Sequence, residues 1–230
     1  MNILIIAALL PVIFLMRYIY LKDNVEREPV GLVVKTLIFG VLSVFPTILG
    51  ETVLIGILSS LLPQNTVLFN LLQYFICVAL VEEFCKMMAM RLAVWKNPEF
   101  NYTFDGIVYG VAAALGFAAF ENIMYVFQGG LATAGVRAIT AIPGHAIFGL
   151  FMGMHLGIAK YLEVRGDRSR ASYHKKMALL VPTLLHGFYD FCCSTNSEIG
   201  MLVFLAFVII LDVVAIKRVK AFQLNDTPIY

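Results

Sequence analysis

Long apolar runs alternate with short polar segments along this chain. The runs long enough to form a membrane-spanning helix lie near residues 2–20, 30–49, 68–90, 105–127, 138–160, 177–195 and 199–216. A hydrocarbon core about 30 Å thick needs about 20 apolar residues as a helix, so each run predicts a membrane span. A shorter apolar stretch, 51–62, ends before Pro63 and predicts an interfacial or partly inserted helix.

The composition supports a membrane protein. Of the 230 residues, 60% are hydrophobic and 14% are charged, whereas a soluble domain has about 25% charged residues. The sequence therefore predicts an all-α fold, a polytopic bundle of about seven transmembrane helices plus one short interfacial helix, in a single integral membrane domain over residues 1–230. The expected surroundings are the lipid bilayer, and a net charge of +2 gives no indication of a nucleic-acid partner.

The basic residues are distributed unevenly over the predicted topology. If the N-terminus is outside, every Lys and Arg except Lys35, Lys86 and Arg137 falls in a cytoplasmic segment. Cytoplasmic loops of membrane proteins carry an excess of Lys and Arg. We therefore expect a multi-pass protein of the cell membrane with its N-terminus outside and its C-terminus in the cytoplasm.

Ionisable side chains interrupt several of the spans, where they are costly to insert and mark functional candidates. Glu82 and Lys86 are four residues apart and can form an intrahelical pair, while Glu83 points about 100° away. A structural ion pair alone would not need the second carboxylate. The two glutamates are therefore interpreted as one ionised group beside a base or ligand.

The fifth predicted span carries a histidine at the end of a stripe of glycines. His145 is followed at four-residue intervals by Gly149, Gly153 and Gly157. Small residues with this spacing allow another helix to approach closely. The stripe therefore predicts that His145 faces the interior of the bundle.

Two further spans carry ionisable groups at helical spacing. His186 and Asp190 are four residues apart, so the aspartate can orient the imidazole or join it as a metal ligand. Glu121 shares a helix face with Phe117 and needs a polar partner at this depth. These groups and Glu82 are expected between the bilayer midplane and its outer third.

Taken together, the motifs resemble those of the PrsW intramembrane proteases. Residues 82–86 read EExxK, residues 117–121 read FxxxE and residues 186–190 read HxxxD, with His145 between them. The set extends over residues 66–195, and the family is similar in turn to the superfamily of CAAX-prenyl endopeptidases and bacteriocin-processing enzymes. The resemblance implies a peptidase that makes the first, site-1 cut in a single-span membrane anti-sigma factor.

Peptide hydrolysis needs an activated water and a stabilised oxyanion. A glutamate can act as the general base, and a Zn²⁺ site with three protein ligands and one open position would fit His145 and His186 with Glu121 or Asp190. A metal-free, glutamate-based mechanism is the alternative. The candidate catalytic residues are Glu82, Glu83, Glu121, His145, His186 and Asp190; Lys86 and Phe117 are supporting; Glu121, His145 and His186 are the candidate metal ligands.

Two other functions compete with proteolysis. A proton- or cation-coupled transporter would also place carboxylates and histidines inside the membrane, but the sequence has neither an inverted repeat nor paired broken helices. A non-catalytic membrane scaffold that retains histidines without glutamates is the second alternative. The intact Glu82 and Glu83 argue against a scaffold, so a protease is favoured.

Overall fold

The computed structural model describes residues 2–195 and 197–230. This part of the chain is a bundle of helices and contains no β-strand. The helices are α1 (Asn2–Tyr20), α2 (Val30–Leu61), α3 (Val67–Leu72), α4 (Leu80–Val94), α5 (Asp105–Ile139), α6 (Ala141–Val164), α7 (Arg168–Ser194) and α8 (Glu198–Leu224). A π-helical segment, Gln73–Ala79, joins α3 to α4 without interruption. The predicted all-α membrane bundle is confirmed.

Six helical runs within the described residues are long and apolar enough to cross a membrane. The longest covers residues 105–164 and contains both α5 and α6. These two helices pack antiparallel, with Gly106 beside Gly153 and Gly110 beside Gly149. Because this run folds back on itself, the number of crossing helices is close to the seven that the sequence predicted.

Residues 51–62 differ from the expectation of a short interfacial helix. The structure has no separate helix here, because α2 is continuous through this stretch as far as Leu61. Its 32 residues reach about 48 Å at a rise of about 1.5 Å per residue, more than the hydrocarbon thickness of about 30 Å. The helix must therefore tilt or extend beyond the hydrocarbon, and it carries Glu51 into the bundle.

The connections between helices gather at two ends of the bundle. The end that we call the basic end contains residues 21–29, 95–104, 165–167 and 225–230. The C-terminal segment is fixed there, because the amide of Ile229 donates to the carbonyl of Asn101 at 2.6 Å and Arg165 donates to the carbonyl of Ile229 at 3.1 Å. The opposite end, which we call the distal end, contains residues 62–66 and the junction of α5 and α6.

The first half of α5 is buried on all sides, and its backbone touches that of α6. A Cβ atom at Gly153 would collide with the carbonyl of Gly106, and one at Gly149 would collide with the carbonyl of Gly110. A Cβ at Gly157, one turn further along, would collide in the same way with the carbonyl of Thr103, just before α5 begins. The close helix packing predicted from the glycine stripe is confirmed.

We expect Gly153→Ala to lower the stability of the protein, because the new methyl group has no space beside the backbone of Gly106. Forcing such a group into a packed contact costs about 1–3 kcal/mol. Gly56→Ala is the matched control, since a Cβ at Gly56 meets no atom within 4 Å. Thermal unfolding in detergent should show a lower Tm for Gly153→Ala alone, and equal Tm values would contradict the packing.

Candidate functional site

A cavity of about 610 Å³ lies between α2, the π-helical segment, α4, α5, α6 and α7. Its acidic, basic and imidazole lining residues are Glu51, Glu82, Glu121, Arg137, His145, His186 and Asp190. Phe117 also lines the cavity, whereas Glu83 and Lys86 lie behind its wall and are fully buried. The structure thus gathers all the residues singled out in the sequence around one cavity.

The Lys86 ammonium is the centre of the site. It donates to Glu82 Oε2 at 2.7 Å and to Glu83 Oε1 at 2.9 Å. The predicted Glu82–Lys86 pair is therefore present, and the side chain also reaches the second glutamate. A third contact runs to His145 Nδ1 at 3.1 Å, and the ring centroid of Phe117 lies 4.2 Å from the ammonium. A fully buried cation is thus surrounded by groups that stabilise positive charge.

The hydrogen bonds of His145 fix its protonation pattern. An ammonium group has no lone pair, so Nδ1 of His145 must accept the bond from Lys86. Its Nε2 lies 2.9 Å from Glu121 Oε2, which can only accept when the carboxylate is ionised. His145 is therefore a neutral imidazole with its proton on Nε2, and its lone pair points at the Lys86 ammonium.

His186 is held between two carboxylates. Its Nδ1 lies 3.0 Å from Glu83 Oε1, and its Nε2 lies 3.3 Å from Asp190 Oδ2. The ring of Phe148 stacks on the imidazole with centroids 4.9 Å apart. An imidazole can donate to both carboxylates only as the imidazolium, which has no lone pair to offer a metal.

Arg137 reaches the site through a break in α5 that sequence reasoning missed. Gly130 has φ +71° and ψ −162°, a conformation that favours glycine, and the chain bends there. Residues 131–139 then bring Arg137 back, so that it donates to Glu121 Oε2 and Asn122 Oδ1, both at 2.7 Å. The signals available in the sequence were the Gly129–Gly130 pair and an arginine far from the basic loops.

Glu51 is a further cavity residue that was not singled out in the sequence. Its Oε1 is buried and has no hydrogen-bond partner among the described residues. The signal in the sequence is a glutamate within a long apolar stretch, at the start of the segment for which the sequence predicts an interfacial helix. The continuity of α2 places it in the cavity wall opposite Glu82 and His186.

Three donor atoms at the centre of the site lie close enough together to bind one metal ion. One ligand atom each from Glu82, Glu83 and His145 lie within 4.8 Å of one another. Glu83 Oε2 is buried and lacks a hydrogen-bond partner in the described part of the chain. Two carboxylates and one imidazole nitrogen are a suitable donor set for Zn²⁺ and related ions. The residues therefore fit a cation at the point where the Lys86 ammonium lies.

This triad differs from the metal ligands expected from the sequence, which were Glu121, His145 and His186. Only His145 belongs to both sets. In the structure His145 directs Nε2 at Glu121, while both nitrogens of His186 face carboxylates. Glu82 and Glu83 thus lie where metal ligands could be, a position that the motifs alone did not predict.

Carboxylates, histidines and cations around a cavity inside a membrane bundle are compatible with a membrane-embedded hydrolase, and the comparisons with known proteins identify the class. The chain belongs to the family described as PrsW family intramembrane metalloprotease, whose model matches residues 28–216. It is therefore a peptidase of the intramembrane class, in a multi-pass membrane protein.

Proteins named Protease PrsW from three bacteria show the same relationship over most of the chain. The protein from Geobacillus kaustophilus is 35% identical and is matched over 94% of this chain and 91% of its own. The Bacillus subtilis protein is 35% identical over 84% and 83%, and that of Clostridioides difficile is 30% identical over 99% and 94%. No solved structure matches this chain.

Proposed function

We propose that this protein makes the first, extracytoplasmic cut in a single-span membrane protein of the anti-sigma-factor class. The observation that carries the proposal is the position of Glu82 in the cavity wall, beside His145, His186 and Arg137. The substrate class follows from the resemblance of the EExxK, FxxxE and HxxxD motifs to those of the family.

Glu82 is the proposed general base. Its carboxylate lines the cavity, where water can reach it, whereas Glu83 is fully buried behind it. Lys86 holds Glu82 Oε2, which leaves the other oxygen to accept a proton from water. Glu83 is then a positioning group, because it joins Lys86 to His186.

Arg137 is the proposed donor to the oxyanion of the tetrahedral intermediate, and the His186 imidazolium supplies positive charge nearby, because both of its N–H groups already face Glu83 and Asp190. Both line the cavity, and each is held in place by carboxylates, Arg137 by Glu121 and His186 by Glu83 and Asp190. Donors fixed before the reaction stabilise developing negative charge without the cost of reorganisation. Each of the candidate acidic and imidazole residues thereby receives a role.

We infer that Zn²⁺ is the metal implied by the family description. When bound, it would supply a Lewis acid that polarises the scissile carbonyl. Glu82, Glu83 and His145 would hold it, with the second oxygen of Glu82 still facing the cavity. The ion and the Lys86 ammonium would compete for the same acceptors, since both are cations that would lie at that point.

We also propose that the basic end faces the cytoplasm. Lys35, which lies within α2, donates to the carbonyl of Ala93 at 3.0 Å, beside the end of α4. All Lys and Arg residues except Lys86 and Arg137 then lie at or near the basic end. The positive-inside rule places such an excess of basic residues on the cytoplasmic side. The distal end, and with it the approach to the cavity past Gln128 and Ser194, would be extracytoplasmic.

The depth of the site favours cleavage near the outer surface. His186 is eight residues before the end of α7 at Ser194, which corresponds to about 12 Å. A substrate helix must unwind to present its scissile bond, and unpaired amides in hydrocarbon cost several kcal/mol each. We therefore expect the cut in the outer juxtamembrane segment or in the outer part of the substrate's span.

Replacing the residues of the site should abolish cleavage of a single-span substrate while the protein still accumulates in the membrane. The replacements are Glu82→Gln, Glu83→Gln, Glu121→Gln, His145→Ala and His186→Ala. Loss of a general base lowers turnover by about 10²–10⁴-fold, and Asp190→Asn should give a smaller defect because it acts through His186. Glu163→Gln, at an exposed ion pair with Lys175, is the control. Near-normal turnover in three or more of the five would refute the proposal.

Metal analysis of the purified protein should distinguish the two ligand sets. We expect His145→Ala to lose bound Zn²⁺ and His186→Ala to retain it, because both nitrogens of His186 face carboxylates. Equal loss in both variants would favour the ligand set expected from the sequence. A wild-type protein that is active without metal would support the glutamate-based mechanism instead.

The position of the cut can be mapped by mass spectrometry of the new substrate termini. We expect the first cut on the extracytoplasmic side, because the cavity lies toward the distal end. Reporters fused after Tyr230 and inserted within 166–172 should both behave as cytoplasmic and serve as the control for orientation. A first cut on the cytoplasmic side would show that the proposed orientation or depth is wrong.

A further inference from the structure

A second cluster of buried acids lies at the basic end, far from the cavity. It consists of Asp23 in the connection between α1 and α2, Glu28 just before α2, and Asp105 at the start of α5. Asp105 is sixteen residues before Glu121 on the same helix, or about 24 Å. The cluster therefore belongs to a different part of the molecule from the catalytic candidates.

All three side chains are almost completely buried, with exposures of 1% for Asp23, 3% for Glu28 and 0% for Asp105. One carboxylate oxygen from each lies within 4.8 Å of the other two. The nearest basic residue of α6, Lys160, instead donates to the carbonyl of Phe100 at 2.7 Å. Three carboxylates thus share a buried volume without an ion pair among the described residues.

Several oxygens of the cluster lack a partner. Both oxygens of Asp23 are buried without a hydrogen bond, and the amides of Val25 and Glu26, although near, do not reach hydrogen-bond geometry. Asp105 Oδ2 accepts from two backbone amides, while its Oδ1 has no partner. Buried acceptors without a partner destabilise the folded protein, and more so when they are charged.

No basic side chain forms an ion pair with the cluster in the described part of the chain, so burial disfavours the charged forms of its carboxyls. Burial, together with the nearby carboxylate of Asp226, raises the pKa of Asp23 to about 6. Burial and the neighbouring Asp105 raise the pKa of Glu28 to about 10. One proton shared between two carboxylates would satisfy a single pair of oxygens and leave those of Asp23 unpaired. A cation would instead be bound by one oxygen from each of the three residues.

We propose that Asp23, Glu28 and Asp105 bind a hard divalent cation, Ca²⁺ in preference to Mg²⁺. An all-oxygen donor set selects Ca²⁺, Mg²⁺ or Mn²⁺ over metals that favour nitrogen or sulfur. The nearly complete burial leaves little room for the waters that Mg²⁺ gives up reluctantly. The ion joins the connection between α1 and α2 to the start of α5 and fixes the basic end of the bundle.

Two neighbouring contacts show that this region is organised around the start of α5. The hydroxyl of Tyr109 donates to Glu28, and Asp226 Oδ1 accepts from the amide of Phe104 at 2.8 Å. Each contact ties a separate part of the chain to the first turns of α5. The ion adds a third connection to the start of α5, through the carboxylate of Asp23, whose two oxygens have no hydrogen-bond partner among the described residues.

The test uses the full-length protein in detergent, stripped with EDTA and exchanged into chelator-free buffer. Mn²⁺ is the probe, detected by electron paramagnetic resonance, with CaCl₂ and MgCl₂ as competitors. The experiment uses the His145→Ala variant, because it lacks one of the three candidate metal ligands at the cavity, Glu82, Glu83 and His145. We expect this variant to bind one Mn²⁺ per chain. Ca²⁺ should displace it at lower concentration than Mg²⁺. Displacement in the opposite order would contradict the preference.

Asp23→Asn should weaken Mn²⁺ binding by about tenfold or more, because ligand charge sets the affinity of such sites. Glu28→Gln provides a second variant if Asp23→Asn does not accumulate. Glu26→Gln is the matched control, because it removes the same charge from an exposed position of the same connection. Unchanged affinity in both cluster variants would place the ion elsewhere and overturn the proposal.

Thermal unfolding gives a readout that does not depend on activity. Ca²⁺ at about a hundredfold excess over its Kd should raise the Tm of the stripped wild type by about 5 °C or more. Asp23→Asn should not respond, whereas Glu26→Gln should respond as the wild type does. If no cation binds the wild type, and Asp23→Asn unfolds at a higher temperature, the cluster is held by protons and the proposal is wrong.

Discussion

The burial of one ammonium group between two carboxylates and a histidine is the constraint on which the rest of this structure depends. Removing a charged group from water costs several kcal/mol even after the protein relaxes, so the acceptors around Lys86 stabilise its buried charge. Those acceptors come from α4 and α6, and Glu83 extends the network to His186 on α7. Three helices must therefore keep their relative positions to within hydrogen-bond tolerance.

Helix α5 supplies much of that rigidity. Toward the basic end its backbone is in direct contact with α6 at Gly106 and Gly110, whereas near the distal end the two helices meet through the side chains of Glu121 and His145. The separation of α5 and α6 thus increases from backbone contact to a side-chain bridge, and this widening makes room for the cavity. The same helices that close the bundle at one end leave space for water at the other.

The sequence predicted those parts of the structure that repeat along a single helix. The apolar runs, the Glu82–Lys86 spacing and the glycine stripe each depend on the period of one helix, and each agrees with the structure. The position of Arg137 depends on a backbone break at Gly130, which lets Arg137 contact Glu121, sixteen residues earlier in the chain. The place of Glu51 depends on how far α2 continues. The positions of Arg137 and Glu51 follow from where a helix breaks and how long it continues, and the spacing of residues along one helix does not specify either.

Both acidic clusters hold buried carboxylates that need positive charge nearby, but the source of that charge differs between them. Near the cavity, Lys86 pairs with Glu82 and Glu83, and Arg137 pairs with Glu121, so these three carboxylates have partners within the chain. At the basic end, Asp23 and its neighbours have no such partner among the described residues and require charge from outside. A network balanced by its own side chains keeps its shape while water and substrate exchange, which catalysis needs. A cluster that depends on an external cation is suited to a structural role, because binding of the ion stabilises only the folded state.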